Sequence, residues 1–372
     1  MPVTAKRQEP TKGQHVKATE ILHERGQSIW LDNITRAMLD SGKIQRYIDS
    51  YSVTGLTSNP SIFDKAIGSG DYDESIAAKA SAGLSGEELF FELAIEDLRR
   101  AADEFLGIHG RTDGVDGWVS LEVSPLLVHD TAKTVEVAKM LHAKAGRTNL
   151  FIKIPGTPEG LPAITECIAA GVPINVTLLF SAEQYLAAAD AYLRGVEQRI
   201  AAGLDPAVPS VASLFMSRWD VAVAGKVPAE LTDRLGLAVG QATYRAYRQL
   251  LNSDRALRLE NAGARMQRLL WASTGTKNPD APDTLYVHGL AAPFTINTMP
   301  DKTLEAFADH GEVGEAMPAD GGDCDEVLAK FANAGIDVQA LATKLQDDGA
   351  DAFVDAWTDL LDVISSHSES LT

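Results

Sequence analysis

Short apolar runs alternate with longer segments of helical spacing along most of the 372-residue chain. The runs are rich in apolar and β-branched residues and have the length of buried strands. They predict strands at 28–32, 52–57, 117–122, 149–154, 173–179, 211–215, 268–273 and 284–287. Apolar residues at helical spacing, with few breakers, lie between them. This spacing predicts helices within 33–49, 85–107, 131–145, 158–170, 181–202, 229–265 and 326–365, and a short helix within 13–26. The first and last of the seven longer segments are each expected to be split into more than one helix.

Such alternation of strand and helix predicts a parallel sheet with right-handed crossovers, and eight repeats are the number that closes a (β/α)₈ barrel. The alternative is an open doubly wound sheet, but the Gly-rich turn typical of that fold does not follow the first run. We therefore predict an α/β fold, a (β/α)₈ TIM barrel with extra N- and C-terminal helices. Residues 13–372 are expected to form one domain, with 1–12 as a flexible tail and 317–326 as a loop leading into a helix.

Composition and charge limit the possible partners. An apolar fraction of 45% and a charged fraction of 23% are typical of a globular protein with a sizeable core. The net charge of −19 repels nucleic acids and anionic membranes, although a few cations in a cleft can still bind a small phosphorylated substrate. Without a signal-peptide pattern or an apolar run of about 18 residues, the chain is expected to be cytoplasmic.

The strongest candidate for chemistry is Lys153, which lies inside the apolar run Asn-Leu-Phe-Ile-Lys-Ile at 149–154. An ammonium group is costly to bury, and burial favours the free amine, which can attack a carbonyl. Polar residues at the carboxyl ends of barrel strands are where active sites are built. The alternative interpretation is a lysine that reaches solvent or forms a structural ion pair.

Two carboxylates end neighbouring runs and strengthen the catalytic interpretation. Glu122 ends the strand before that of Lys153, so a barrel places it beside the amine, where it can transfer protons during imine formation. Asp32 ends the first strand and can accept a hydroxyl proton as a carbon–carbon bond breaks. The alternatives are a structural salt bridge for Glu122 and a helix N-cap for Asp32.

Seven motifs together resemble the ordered signature series of the transaldolase family. They are Trp-Leu-Asp-Asn at 30–33, Thr-Ser-Asn-Pro-Ser at 57–61, Ser-Leu-Glu-Val at 120–123, Phe-Ile-Lys-Ile-Pro at 151–155, Asn-Val-Thr-Leu-Leu-Phe-Ser at 175–181, Ser-Leu-Phe-Met-Ser-Arg at 213–218 and Trp-Ala-Ser at 271–273. The resemblance implies a class I aldolase-type barrel that needs no metal or cofactor and moves a dihydroxyacetone unit between sugar phosphates of the pentose phosphate pathway.

The resemblance also implies a role for each matching residue. Lys153 would form the Schiff base, Asp32 would be the general acid/base, and Glu122 and Thr177 would hold the catalytic water. The dihydroxyacetone moiety would be bound, or the site around it positioned, by Thr57, Asn59, Ser120, Asn175 and Ser213. Phosphate would be bound by Arg218 and Ser273. Many members have an arginine soon after this serine, whereas this chain resembles the subgroup with Ser-Thr-Gly-x-Lys-Asn-Pro. Lys277 would then be the second phosphate cation, or else an ordinary surface lysine.

Other chemistry finds little support in the sequence. The eight histidines show no metal-ligand spacing, no calcium loop fits, and Cys167 and Cys324 are expected to be structural thiols. We expect sugar phosphates as partners and a monomer or homodimer. Two rival functions are an aldolase that releases dihydroxyacetone, whose known members are much shorter chains, and a barrel that binds phosphosugars without catalysis.

Overall fold

Eight parallel strands form the centre of the molecule in a computed structural model that describes residues 16–371. The sheet runs in the order β2-β1-β8-β7-β6-β5-β4-β3. A parallel bridge between Gly55 and Trp118 joins its two ends and closes the barrel, which confirms the predicted fold class. The strands are β1 Ser28–Asp32, β2 Val53–Thr57, β3 Val119–Glu122, β4 Leu150–Pro155, β5 Ile174–Leu179, β6 Ser210–Phe215, β7 Arg268–Ala272 and β8 Ile296–Met299.

Helices surround the barrel and connect its strands, as the alternating pattern predicts. Several of them, in 60–81, 217–223 and 301–310, fall in segments for which no helix is predicted. The flexible tail predicted for 1–12 lies outside the described residues. The helices are α1 Ala18–Glu24, α2 Arg36–Asp40, α3 Lys43–Tyr51, α4 Pro60–Ile67, α5 Asp73–Ser81, α6 Gly86–Arg111, α7 Thr131–Ala145, α8 Gly160–Ala169, α9 Ala182–Ala201, α10 Ser217–Val223, α11 Leu235–Leu251, α12 Asp254–Asn261, α13 Leu285–Gly289, α14 Asp301–His310, α15 Cys324–Asn333 and α16 Val338–Leu371.

The prediction of the eighth strand at 284–287 is wrong, because these residues form helix α13 and the strand is β8. A run of four apolar residues fits a helical turn as well as a strand, and periodicity cannot separate them. Tyr286 packs in the core as part of this helix and donates a hydrogen bond to Asp220 at 2.7 Å. The true strand includes the polar residues Asn297 and Thr298, both buried, which makes it a weak apolar run.

The junction between β2 and β3 depends on close packing at Gly55. A Cβ there would lie 2.7 Å from the backbone oxygen of Trp118 and 2.8 Å from the indole of Trp30. The Trp118 ring in turn stacks on Phe151 with centroids 4.1 Å apart. Glycine is therefore required where the first and last strands of the sheet meet, since any side chain would push them apart.

Helix α16 crosses from the outer helices onto the carboxyl ends of the strands. It packs against α4, α5 and α6, and the Trp357 indole donates a hydrogen bond to Glu87 at 2.8 Å. Nearer its start, the Gln346 amide reaches the backbone at the ends of β4 and β5. The C-terminal helix thus forms part of the wall around that end of the barrel. Among the described helices, none has the length and apolar character needed to cross a membrane.

Candidate active site

A buried ion pair lies at the carboxyl ends of β3 and β4. The pairing of these strands places Glu122 directly opposite Lys153, and the two side chains are 5% and 6% exposed. The Lys153 Nζ atom lies 3.2 Å from Glu122 Oε2 and donates a second hydrogen bond to the Ser58 carbonyl at 3.1 Å. Burial raises the pKa of Glu122, and attraction by Lys153 opposes that shift. The barrel therefore brings together an amine and a carboxylate that can exchange a proton.

Asp32 ends β1 and faces the same cavity as Lys153. Its Oδ1 atom accepts a hydrogen bond from the Thr57 hydroxyl at 2.7 Å, and that hydroxyl lies 2.7 Å from the Thr298 hydroxyl. Burial raises the pKa of Asp32, while Lys153 and the Thr57 hydrogen bond lower it in part. A carboxylate with a raised pKa and a fixed orientation is suited to transferring protons.

The N-cap alternative for Asp32 is wrong. Helix α2 begins at Arg36, and its N-cap is Thr35, whose hydroxyl accepts a hydrogen bond from the Met38 amide at 3.1 Å. Asp32 lies before this cap and is bound to Thr57 instead. Its carboxylate is therefore not needed to begin the helix.

Thr177 and Glu122 each bury an oxygen atom that has no hydrogen-bond partner within residues 16–371. These atoms are Thr177 Oγ1 and Glu122 Oε1. Buried polar atoms are usually satisfied, and a buried water is the common partner where the protein supplies none. Thr177 pairs with Pro155 in the β4–β5 register, two residues after Lys153. This arrangement fits the predicted water at Glu122 and Thr177.

A chain of hydrogen bonds crosses the barrel interior beside Lys153. The Ser213 hydroxyl donates to Asn175 Oδ1 at 2.7 Å, and Asn175 Nδ2 donates to the Ser120 hydroxyl at 3.2 Å. All three residues are buried, and Asn175 lies directly opposite Lys153 in the β4–β5 register. Ser213 lines the cavity, whereas Ser120 and Asn175 do not. Of the two predicted roles, positioning the site suits Ser120 and Asn175 better than contact with substrate.

Two cations and a serine hydroxyl lie at the outer part of the cavity. Arg218 is half-buried on α10, and burial lowers the pKa of its guanidinium. Neither Arg218 nor the exposed Lys277 forms an ion pair within the described chain, although acids outnumber bases overall. Ser273 has a left-handed backbone, with φ of 55°, and its hydroxyl lies 2.9 Å from that of Ser217. Unpaired cations beside hydroxyl groups suit the binding of a phosphate.

These groups surround a cavity of about 220 Å³ at the carboxyl ends of the strands. Phe353 of α16, with its ring centroid 5.9 Å from Lys153 Nζ, and Thr298 of β8 also line it, and no sequence pattern predicts either of them. If β8 had been predicted at its true position, Thr298 would have been a candidate site residue. No local sequence pattern distinguishes Phe353. Glu122 is buried behind the lining residues. The predicted site residues that line the cavity are Asp32, Thr57, Asn59, Lys153, Thr177, Ser213, Arg218, Ser273 and Lys277.

Asn59 has a second task in the structure. Its side chain is the N-cap of α4 and accepts a hydrogen bond from the Ile62 amide at 3.1 Å. Asn59 also lines the cavity. A cap fixes the side chain, so its free end points in a defined direction.

A larger cavity, of about 640 Å³, lies at the opposite end of the barrel. Its lining includes Ser28 and Arg268, the first residues of β1 and β7. Arg268 is already paired with Asp116 at 3.4 Å and bonded to the Ser28 hydroxyl at 2.7 Å. Because barrel enzymes place their chemistry at the carboxyl ends of the strands, the smaller cavity is the candidate active site.

The closed barrel and the buried lysine–carboxylate pair at this rim define an enzyme of the (β/α)₈ type, and comparison with known proteins identifies its family. The family model described as transaldolase/fructose-6-phosphate aldolase matches residues 29–364. A protein named transaldolase from Mycolicibacterium paratuberculosis is 44% identical, covering 92% of this chain and 94% of the relative. One from Thermobifida fusca is 44% identical, with coverage of 92% and 96%. The chain therefore belongs to the transaldolase/fructose-6-phosphate aldolase family.

Proposed function

We propose that this chain transfers a dihydroxyacetone unit from sedoheptulose 7-phosphate to glyceraldehyde 3-phosphate, giving erythrose 4-phosphate and fructose 6-phosphate. This is the transaldolase step of the pentose phosphate pathway, and the named relatives align over nearly their whole length. The observation that carries the mechanism is the buried Lys153 amine, 3.2 Å from Glu122 and on the wall of the cavity. A cytoplasmic location remains part of the proposal.

The first stage forms an imine at Lys153. After a proton passes from the ammonium to Glu122, the free amine attacks the keto carbon of the donor and gives a carbinolamine. Glu122 then returns a proton through a water held with Thr177, and the carbinolamine hydroxyl leaves as water. The unpartnered oxygens of Glu122 and Thr177 support a water at this position. The oxygen of this water would accept a hydrogen bond from the threonine hydroxyl, and one of its O–H groups would donate to the carboxylate.

The second stage breaks the C3–C4 bond. Asp32 takes the proton of the C4 hydroxyl, the C4–O bond becomes a carbonyl, and the bonding electrons move into the imine to give an enamine. The aldose phosphate leaves. Attack of the enamine on the aldehyde of the acceptor reverses these steps, with Asp32 returning the proton. The hydrogen bond from Thr57 supports this role because it fixes the carboxylate on the wall that also carries Lys153.

Retention of the enamine distinguishes transfer from simple aldol cleavage. The Phe353 ring lies over Lys153 and closes that side of the cavity, which limits access of water to the intermediate. The decisive assay mixes the enzyme with fructose 6-phosphate, with and without erythrose 4-phosphate. We expect sedoheptulose 7-phosphate with the acceptor and little free dihydroxyacetone without it. Equal release of dihydroxyacetone in both mixtures would favour the aldolase alternative, and no reaction in either would favour a binding protein.

Changing Arg218 to alanine tests the phosphate site. We expect the KM for phosphorylated donors to rise roughly ten- to hundredfold, because a charge-assisted contact contributes about 1.5–3 kcal/mol. The KM for unphosphorylated fructose should change little. Arg258→Ala, at an exposed arginine on α12, is the matched control and should alter neither value. A parallel rise for both substrates would make Arg218 a structural residue.

Removal of metal ions should leave the activity intact. The imine withdraws electrons from the breaking bond, which is the task of a divalent ion in metal-dependent aldolases. Within residues 16–371, no group of three or more histidine, cysteine or acidic side chains has the geometry of a metal site. The measurement is turnover after prolonged EDTA treatment and gel filtration. Loss of activity that one divalent ion restores would contradict this prediction.

A further inference from the structure

The side-chain amide of Gln346 joins the ends of two strands that carry the proposed catalytic residues. Gln346 lies on α16 and is 6% exposed. Its Nε2 atom donates to the Leu178 carbonyl on β5 at 2.8 Å and to the Gly156 carbonyl, just after β4, at 3.1 Å. The Gly156 amide donates to the Thr177 carbonyl at 2.8 Å. These contacts close a ring through Gln346, Leu178, Thr177 and Gly156.

Leu178 needs this support because its backbone is left-handed. Its φ is 58°, a conformation in which a residue with a Cβ is strained, and its side chain is fully buried. The β5–β6 register slips between Val176 and Leu179, so Leu178 lies in a bulge and not in a regular ladder. Such a bulge persists only where the surroundings fix it, and Gln346 holds its carbonyl.

The bulge determines the position of Thr177, the residue before it. The Thr177 carbonyl is held by Gly156, while its hydroxyl is buried without a partner in the described chain. A shift in the peptide between Thr177 and Leu178 would change the direction of that hydroxyl. Gly156 packs closely against the same strand, since a Cβ there would lie 2.4 Å from the Leu179 side chain.

We infer that Gln346 is a positioning residue for imine formation. By holding the bulge at Leu178, it orients the Thr177 hydroxyl and the water that Thr177 shares with Glu122. Gln346 does not line the cavity, so its effect on the reaction passes through Thr177. The inference rests on the proposed function, since it assigns a task in the first stage of that mechanism.

The test is Gln346→Met, which keeps the length of the side chain and removes the donor. Imine formation is followed by mixing enzyme with fructose 6-phosphate, quenching with borohydride at short times and measuring the mass of the protein. We expect formation to slow about 10- to 100-fold, as for other supporting residues of active sites, with KM changed less than about threefold. The matched control is Gln339→Met, at an exposed position on the same helix, which should behave as the parent.

A double variant separates positioning from a purely structural role. In a Thr177→Val background, Gln346→Met should slow imine formation little further, because the two residues act through one water. Gln346→Asn is a milder change, because it keeps the amide but moves it away from the two carbonyls on a shorter side chain. This variant should give an intermediate rate. Parent-like rates in both folded Gln346 variants, or full additivity with Thr177→Val, would overturn the inference. Failure of the parent itself to form an adduct at Lys153 would instead overturn the proposed function.

Discussion

Lys153→Met is expected to abolish turnover and borohydride trapping in a protein that still folds. The Lys153 amine is the nucleophile of the proposed mechanism, so we expect a loss of roughly four orders of magnitude or more. Glu122 then loses the cation 3.2 Å away. Burial already raises the pKa of that carboxyl, and without Lys153 it should take up a proton and avoid an unpaired buried charge. The measurement is steady-state turnover beside peptide mapping after reduction with fructose 6-phosphate.

The same substitution at Lys277 is the matched control. Lys277 lines the same cavity but is exposed. Lys277→Met should keep the adduct at Lys153 and raise only the KM for phosphorylated substrates. An adduct on Lys277 in the parent enzyme, or trapping that survives in Lys153→Met, would contradict the assignment of the nucleophile.

Asp32→Ala should slow turnover about 10²- to 10⁴-fold, the range for a lost general acid/base, while the imine still forms. Because cleavage is blocked, the uncleaved ketose should accumulate on Lys153. Reduction with fructose 6-phosphate should therefore add the mass of a whole hexose phosphate, whereas working cleavage would leave a three-carbon adduct. Turnover near that of the parent, or no adduct in a folded variant, would remove Asp32 from this role.

Stability and pH provide the controls for Asp32. Because Thr35 caps α2, loss of the Asp32 carboxylate should not destabilise that helix, which thermal unfolding can verify. Asp32→Asn keeps an oxygen that accepts from Thr57 and should be as slow as Asp32→Ala. Burial raises the pKa of Asp32, so kcat of the parent should fall as pH drops through that raised value and the base becomes protonated. The residual kcat of Asp32→Asn should not fall over this pH range, since the titrating carboxyl is absent.

The sequence predicts the barrel well because seven of its strands are apolar runs with clear boundaries. For β1 the predicted bounds equal those observed. The prediction of β8 fails for a physical reason, since this strand carries the buried polar residues Asn297 and Thr298 and a nearby apolar run competes with it. Short helices such as α4 and α10 are also missed, as they have too few turns to establish a periodicity.

For the active site, position at a strand end was the useful signal. It predicts Asp32 and Glu122 as candidates, whereas Lys153 is predicted because a charged residue lies inside an apolar run, and the strand register then places Glu122 beside Lys153. The residues that α16 contributes could not be found in this way. Phe353 and Gln346 follow an ordinary helical pattern, and only the packing of α16 onto the barrel decides which face of the helix meets the site.

Because α16 supplies part of the wall of the cavity, the order in which the chain is synthesised has a consequence for the site. All eight strands, and with them Lys153, Glu122 and Asp32, precede Val338 in the chain. At about 5–20 residues per second, the ribosome completes β8 several seconds before Phe353 emerges. A barrel assembled in that interval would lack the Phe353 ring beside Lys153 and the Gln346 hydrogen bond to the β5 bulge. The nascent protein would thus acquire the proposed nucleophile first and the surrounding residues of α16 later, when that helix docks.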